Sequence, residues 1–160
     1  SMGGTLTLWT GLQRQGDGTL AGIVCVNPAT QAQSDAGVEM ITDLLADGTE
    51  VIPAIGSDIA DPDVSETAYE GTPIRQLLSL VNDGVRPIQD RYSELEVPLL
   101  LFSSANDHVV SPADSAHLAS TYGGEVDFVE LTRSYHVATQ DFDRDLICER
   151  SAAFVERVTG

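Results

Sequence analysis

An α/β fold built on a parallel sheet is predicted by this sequence, and three observations predict it. Two runs, Leu20 to Val26 (LAGIVCV) and Val97 to Phe102 (VPLLLF), are apolar without alternation, as expected for strands covered on both faces. Segments with apolar residues at helical spacing lie before, between and after them. From Val97 onward strand and helix alternate to the last residues, which calls for right-handed crossovers and parallel pairing.

The elements follow in order. Gly3 to Gln13 (GGTLTLWTGLQ) reads as a helix with Leu6 and Trp9 as its core contacts, stopped by Gly16-Asp17-Gly18. The Leu20 to Val26 strand comes next and Asn27-Pro28 ends it. From Ala29 to Thr72 the texture changes to Ser, Gln, Asp, Gly and Pro, with one helical pattern, Val38 to Leu45, and two proline-bounded turns. A loop-rich stretch this long between core elements is more often functional than decorative. Pro73 to Asn82 (PIRQLLSLVN) carries apolar residues at 74, 77, 78 and 81, which is helix spacing with proline in the first turn. After the second strand, Ser111-Pro112 opens a helix over Ala113 to Tyr122 and Gly123-Gly124 closes it. Val126 to Leu131 (VDFVEL) alternates apolar and acidic residues, as an edge strand with one wet face does. The last helix spans Asp143 to Val158, with Leu146, Ile147, Phe154 and Val158 on one side. The chain thus divides into core (1–28), insertion (29–72) and core (73–160), without internal repeat.

Composition excludes several functions. There are 25 acidic residues against eight basic ones, all arginine, giving a formal net charge of −17. Phosphate backbones are repelled by such a surface, so no nucleic acid partner is expected. No apolar run approaches the ~18 residues of a membrane span, and no basic-then-apolar leader is present; the expected location is cytoplasmic. Cys25 lies in the run IVCV and Cys148 in the last helix, without a C-x-x-C or Cys/His cluster, so both are expected as buried reduced thiols and no metal site is expected.

The chemistry gathers in the stretch 99–136. One strand runs into a polar turn holding Asp107, and the next strand runs into a turn holding His136. One helix and one strand separate them, a spacing that returns both residues to the carboxyl edge of a parallel sheet, where ligands bind in open α/β folds. Asp90, Asp114, Asp127 and Asp141 are rivals by type, but Asp114 falls in a helix and Asp127 on a strand, leaving Asp107 as the strand-end carboxylate before the histidine. His108 and His117 read as structural or surface residues. A serine hydroxyl needs a base within hydrogen-bond reach, and the base needs an orienting partner. Ser1, at the mouth of the first helix and followed by Met2-Gly3-Gly4, is the candidate nucleophile. Gly3 and Gly4 would let the helix approach closely beneath it. Its neighbour Met2 would supply one oxyanion N–H at the positive end of that helix. Two bland alternatives stay open: an isolated His136 is also what an ordinary loop histidine looks like, and an N-terminal Ser-Met is also what a cloning remnant leaves.

SMGG resembles the second half of the G-x-S-x-G elbow, NDHVVSP an acid turn, and SYHVATQDFDRDLICERSAAFVERV a histidine turn with its last helix. The match is to α/β-hydrolases, whose chain order is Ser, Asp, His, and within them to bacterial carboxylesterases and monoacylglycerol lipases. The resemblance runs over nearly the whole chain, with IGSDIADPDVSETAYEGTPI similar to the short lid of that family. It implies a partial α/β-hydrolase fold and ester hydrolysis through an acyl-serine intermediate by Ser1, Asp107 and His136. It also implies a small-molecule acyl ester as partner, and no cofactor. Within the lid, Ile55 would wall the acyl chain and Glu66 would accept from a polyol head, although Glu66 reads equally as part of a solvated helix face. Thioesterase or peptidase chemistry on the same triad, and a non-catalytic binding module, are the alternatives, since the fold hosts many reactions. The glycine two residues before the serine and the strand leading to it are absent, so the sequence reads as the C-terminal half of a hydrolase with its N-terminal half, and a second oxyanion donor, missing. By itself it is then expected to be neither a stable monomer nor an active enzyme.

Overall fold

In the computed structural model, which describes residues 1–160, the sheet is built outward from Leu99–Ser104. All six residues of that strand are buried, which is why it reads as a continuous apolar run. Taken in chain order, β1 is Ile23–Val26, β4 is Leu99–Ser104 and β5 is Val126–Leu131; the short β2 (Val51–Pro53) lies in the insertion and β3 (Gly71–Pro73) at its end. The order in space is β1-β4-β5, parallel throughout, with Ile23 beside Leu99 and Leu99 beside Val126. Side chains alternate across a strand. Leu99 and Leu101 therefore enter one core with Leu8 of the helix Met2–Arg14 (α1) and Leu118 of the helix Pro112–Thr121 (α4). Leu100 and Phe102 enter a second core with Ile147 and Phe154 of the helix Arg144–Thr159 (α5). Helices on both faces of a parallel sheet give the predicted α/β class, and β5 is the predicted half-wet edge.

The differences from expectation have local reasons. On α1 the fully buried residues are Thr5 and Leu8, while Leu6 is 53% exposed and Trp9 only packs against the core margin, because the 5, 8, 11 stripe of the helix faces the sheet. On α5, Ile147 and Phe154 are buried, but Leu146 and Cys148 flank Ile147 and turn outward, so Cys148 is a free, exposed thiol. The helix predicted for Pro73 to Asn82 holds only over Ile74–Ser79 (α3) and then widens into a π turn, Leu80–Val85, that buries Val81 and Val85. The Gly84 carbonyl there accepts from the Trp9 indole at 3.0 Å.

The insertion carries α2, Asp35–Ala46, capped by Ser34 Oγ accepting from the Gly37 amide. It also carries an antiparallel ladder, Val51–Pro53 (β2) with Gly71–Pro73 (β3), where the sequence suggested only turns. Three-residue strands separated by a long irregular stretch leave no alternation to read.

The close approach expected beneath Ser1 involves only one of its two glycines. A Cβ at Gly4 would stand 2.4 Å from the Pro28 Cβ, whereas one at Gly3 meets nothing within 4 Å. Gly4→Ala is expected to lower stability by about 1–3 kcal/mol and Gly3→Ala to leave it nearly unchanged or slightly raised, as read by urea unfolding of the two variants.

Candidate active site

Parallel pairing brings the carboxyl ends of β1, β4 and β5 to one edge. There the chain places Asn27, the turn holding Asp107 and the turn holding His136. Ser1 is fastened to the same edge: its backbone nitrogen donates to the Asn27 carbonyl, and its own carbonyl accepts from Ala29 N at 3.3 Å and Gly4 N at 3.1 Å. Met2 opens α1, so its N–H precedes the first intrahelical bond.

Asp107 and His136 meet. Asp107 Oδ1 accepts the amides of Val109 and Val110, both at 2.8 Å, which aims Oδ2 at His136 Nδ1, 2.7 Å away. The two side chains are 2% and 14% exposed. A carboxylate only accepts, so Nδ1 carries the proton and Nε2 is left as the basic nitrogen. The backbone of His136 is held as well: its amide donates to Asp58 Oδ2 at 3.0 Å and its carbonyl accepts from Asn27 Nδ2 at 2.9 Å.

Two cavities open on either side of His136. One, of about 590 Å³, is lined by Ser1, Met2 and His136 and walled mainly by apolar residues, among them Leu77, Leu80 and Val85. Ser1 and His136 line this cavity together, with no hydrogen bond between their side chains. The other, of about 400 Å³, is lined by Ile55, Glu66, Asp58, Tyr69 and His136. Val109 borders both.

A family model described as serine aminopeptidase, S33, matches residues 1–143. The chain belongs to that family. This S33 member is 36% identical to the thermostable monoacylglycerol lipase of Bacillus sp. (strain H-257), over all of its own length and 62% of that protein's. It spans 98% of itself and 62% of a solved structure reported with LipS and LipT, two metagenome-derived lipolytic enzymes, at 34% identity and a TM-score of 0.86. A monoacylglycerol lipase structure from Paleococcus ferrophilus matches at 17% identity and a TM-score of 0.66, over 99% of this chain and 65% of that one, a likeness of fold. The sheet and helices described above are accordingly part of an α/β-hydrolase fold.

Three of the four rival acids of the S33 chain, Asp114, Asp127 and Asp141, are occupied elsewhere. Asp114 accepts the amides of Thr30 and Gln31, at 2.8 and 3.0 Å, and Asp127 forms a two-pronged pair with Arg150, both contacts at 2.9 Å. Asp141, 1% exposed, accepts from Ala60, Asp61, Tyr135 and Phe142. Burial alone would raise its carboxyl; the four amides outweigh burial and hold it below the usual value. His117 packs edge-on to Tyr92, and His108 bonds Asp58. Burial pushes the Cys25 thiol up to about 12, an inert core thiol rather than a nucleophile.

Three residues at this edge have roles that the sequence did not reveal. Asn27 has a left-handed φ of 47°, which Asn tolerates better than most residues, and this turns its amide into the site. Its Oδ1 accepts Ser104 N at 2.7 Å, and Ser104 Oγ donates to Tyr135 O at 2.8 Å, a buried polar link between the ends of β1 and β4 and the histidine turn. Asp58 and Asp141 are the other two, and nothing in their sequence neighbourhood separates them from the many surface aspartates.

Proposed function

We propose that this chain carries the reacting residues of a serine ester hydrolase of the carboxylesterase or monoacylglycerol lipase kind. The observation that carries the reading is the buried Asp107–His136 pair opening onto the cavity that Ser1 and Met2 line. Ser1 Oγ attacks the ester carbonyl while His136 Nε2 takes its proton, and Asp107 holds the imidazolium that forms. The Met2 N–H stabilises the oxyanion at the helix N-terminus. Collapse expels the alcohol, which takes its proton from His136, and water activated by the same ring then releases the acid from the acyl-serine. The apolar cavity suits an acyl chain. Glu66, beside the smaller cavity, suits a polyol leaving group, and Ile55 forms part of its wall. The 160 residues alone are expected to be slow, because Met2 is the one oxyanion donor assigned among them.

The full-length protein tests this with nitrophenyl esters and monoacylglycerols. Glu66→Gln is expected to raise the KM for a monoacylglycerol about tenfold and to change that of a nitrophenyl ester less than about twofold, the loss of one bond to a charged group. A peptidase reading is favoured by one feature, a carboxylate beside the base where a substrate ammonium would sit. Turnover of an aminoacyl anilide that depends on Glu66, with esters untouched, would replace the first reading. A Ser1 that reacts with neither substrate nor an organophosphonate would leave a binding module.

A further inference from the structure

We propose that Asp58, from the insertion, is a positioning residue for His136, so that the base is set by the insertion as well as by Asp107. The inference rests on the reading of His136 as the base.

Asp58 is 6% exposed and lies in a segment otherwise rich in solvent-facing residues. Its Oδ2 accepts two backbone amides, His136 at 3.0 Å and His108 at 3.1 Å, and its Oδ1 meets His108 Nδ1 at 2.7 Å. Its own carbonyl accepts from Val137 N at 3.1 Å. One residue of the insertion thus binds both the turn after β4 and the turn after β5. Burial raises the Asp58 carboxyl, but the His136 amide, then the His108 ring and amide, outweigh it and keep the group ionised.

His136 is fixed at three points by three different parts of the chain: its ring by Asp107, its carbonyl by Asn27 and its amide by Asp58. With the amide released, the residue is free to turn about the other two points and carry Nε2 away from the Ser1 cavity. Displacement on the order of 1 Å commonly costs about 10²-fold in rate. Asp58 also lines the cavity shared by Glu66 and Ile55, so whatever fills that cavity presses on the residue that grips the base.

Asparagine suits Asp58's contacts. Its carbonyl oxygen can take both amides at the Oδ2 site, and its NH2 can donate to His108 Nδ1 once that ring changes tautomer. Alanine replaces none of them. His108→Ala removes the ring contact and leaves the His136 amide bond intact.

The test uses the full-length protein and three readouts. In the wild type, a long-range NMR correlation across the hydrogen bond from the His136 amide nitrogen to the Asp58 carboxyl carbon is expected; its absence overturns the proposal without any variant. The far-downfield His136 Nδ1 proton is expected in wild type, Asp58→Asn and His108→Ala, and is expected to be lost or strongly shifted in Asp58→Ala. Labelling of Ser1 by a fluorophosphonate is expected to slow about 10–100-fold in Asp58→Ala and less than about threefold in Asp58→Asn, with ester kcat falling and KM holding. A folded Asp58→Ala that keeps the wild-type proton and labelling rate overturns the proposal. If Asp58→Ala does not fold, the wild-type correlation decides. A wild type that gives the correlation and the Nδ1 proton but never labels overturns the hydrolase reading and leaves the grip on His136 standing.

Discussion

A His136→Ala variant of the full-length protein is expected to hydrolyse a nitrophenyl ester at least ~10⁴-fold more slowly than wild type, and Ser1→Ala to match it. Residues that act as one unit fail together, so the double variant should be no slower than either single one. Asp107→Asn probes a different step. The Asn NH2 group, if turned toward His136 Nδ1, requires that nitrogen to be unprotonated, which moves the proton to Nε2 and removes the base from the serine. A loss of about 10⁴-fold is expected from that tautomer exchange, with the fold intact because the Val109 and Val110 amides can still be accepted by the Asn oxygen. Steady-state kcat/KM with each variant, alongside a circular dichroism spectrum, measures it. Near-normal turnover by folded His136→Ala removes the histidine from the mechanism.

The strands were legible because each is a physical extreme. VPLLLF cannot be left in water and LAGIVCV cannot alternate, so both must lie in a covered parallel sheet, and they pair as neighbours. Asp107 and His136 were legible for a related reason: in a parallel sheet, loops that follow consecutive strands open at one edge, and 29 residues is one crossover. What escaped was set by contacts between distant segments. Asn27 to His136 and Asp58 to His136 are bonds across 109 and 78 residues, between types that also abound on the surface. The outward turn of Leu6 and Cys148 was missed because a helix stripe is fixed by which neighbour it packs against, and spacing alone left two stripes open on α1. The β2–β3 ladder was hidden by its length, three residues a side.

Asp141→Ala is expected to cost about 3 kcal/mol or more of folding stability, the largest loss for any single polar side chain here. Each carboxylate oxygen accepts two amides: Oδ1 takes Asp61 at 3.0 Å and Phe142 at 2.8 Å, and Oδ2 takes Ala60 at 2.7 Å and Tyr135 at 2.9 Å. Bonds to a charged acceptor contribute roughly 1.5–3 kcal/mol apiece, and buried amides left without one keep their desolvation cost, although water entering the vacated space recovers part of it. Asparagine should not rescue this site, in contrast to Asp58, because its NH2 group would face two N–H donors wherever it turned. The folded-state pKa of Asp141 lies below the unfolded one. Its stabilisation is therefore complete above the ordinary aspartate value of 3.8 and is lost as the pH falls through the lower folded value. Thermal unfolding of wild type should accordingly drop in midpoint as the pH is taken below that value, while Asp141→Ala starts lower and follows a flatter pH dependence. Asp58, shifted in the same direction, keeps some slope in the variant. Equal pH slopes for the two proteins, or a Asp141→Asn variant as stable as wild type, would mean that the four amides draw their stability from another source.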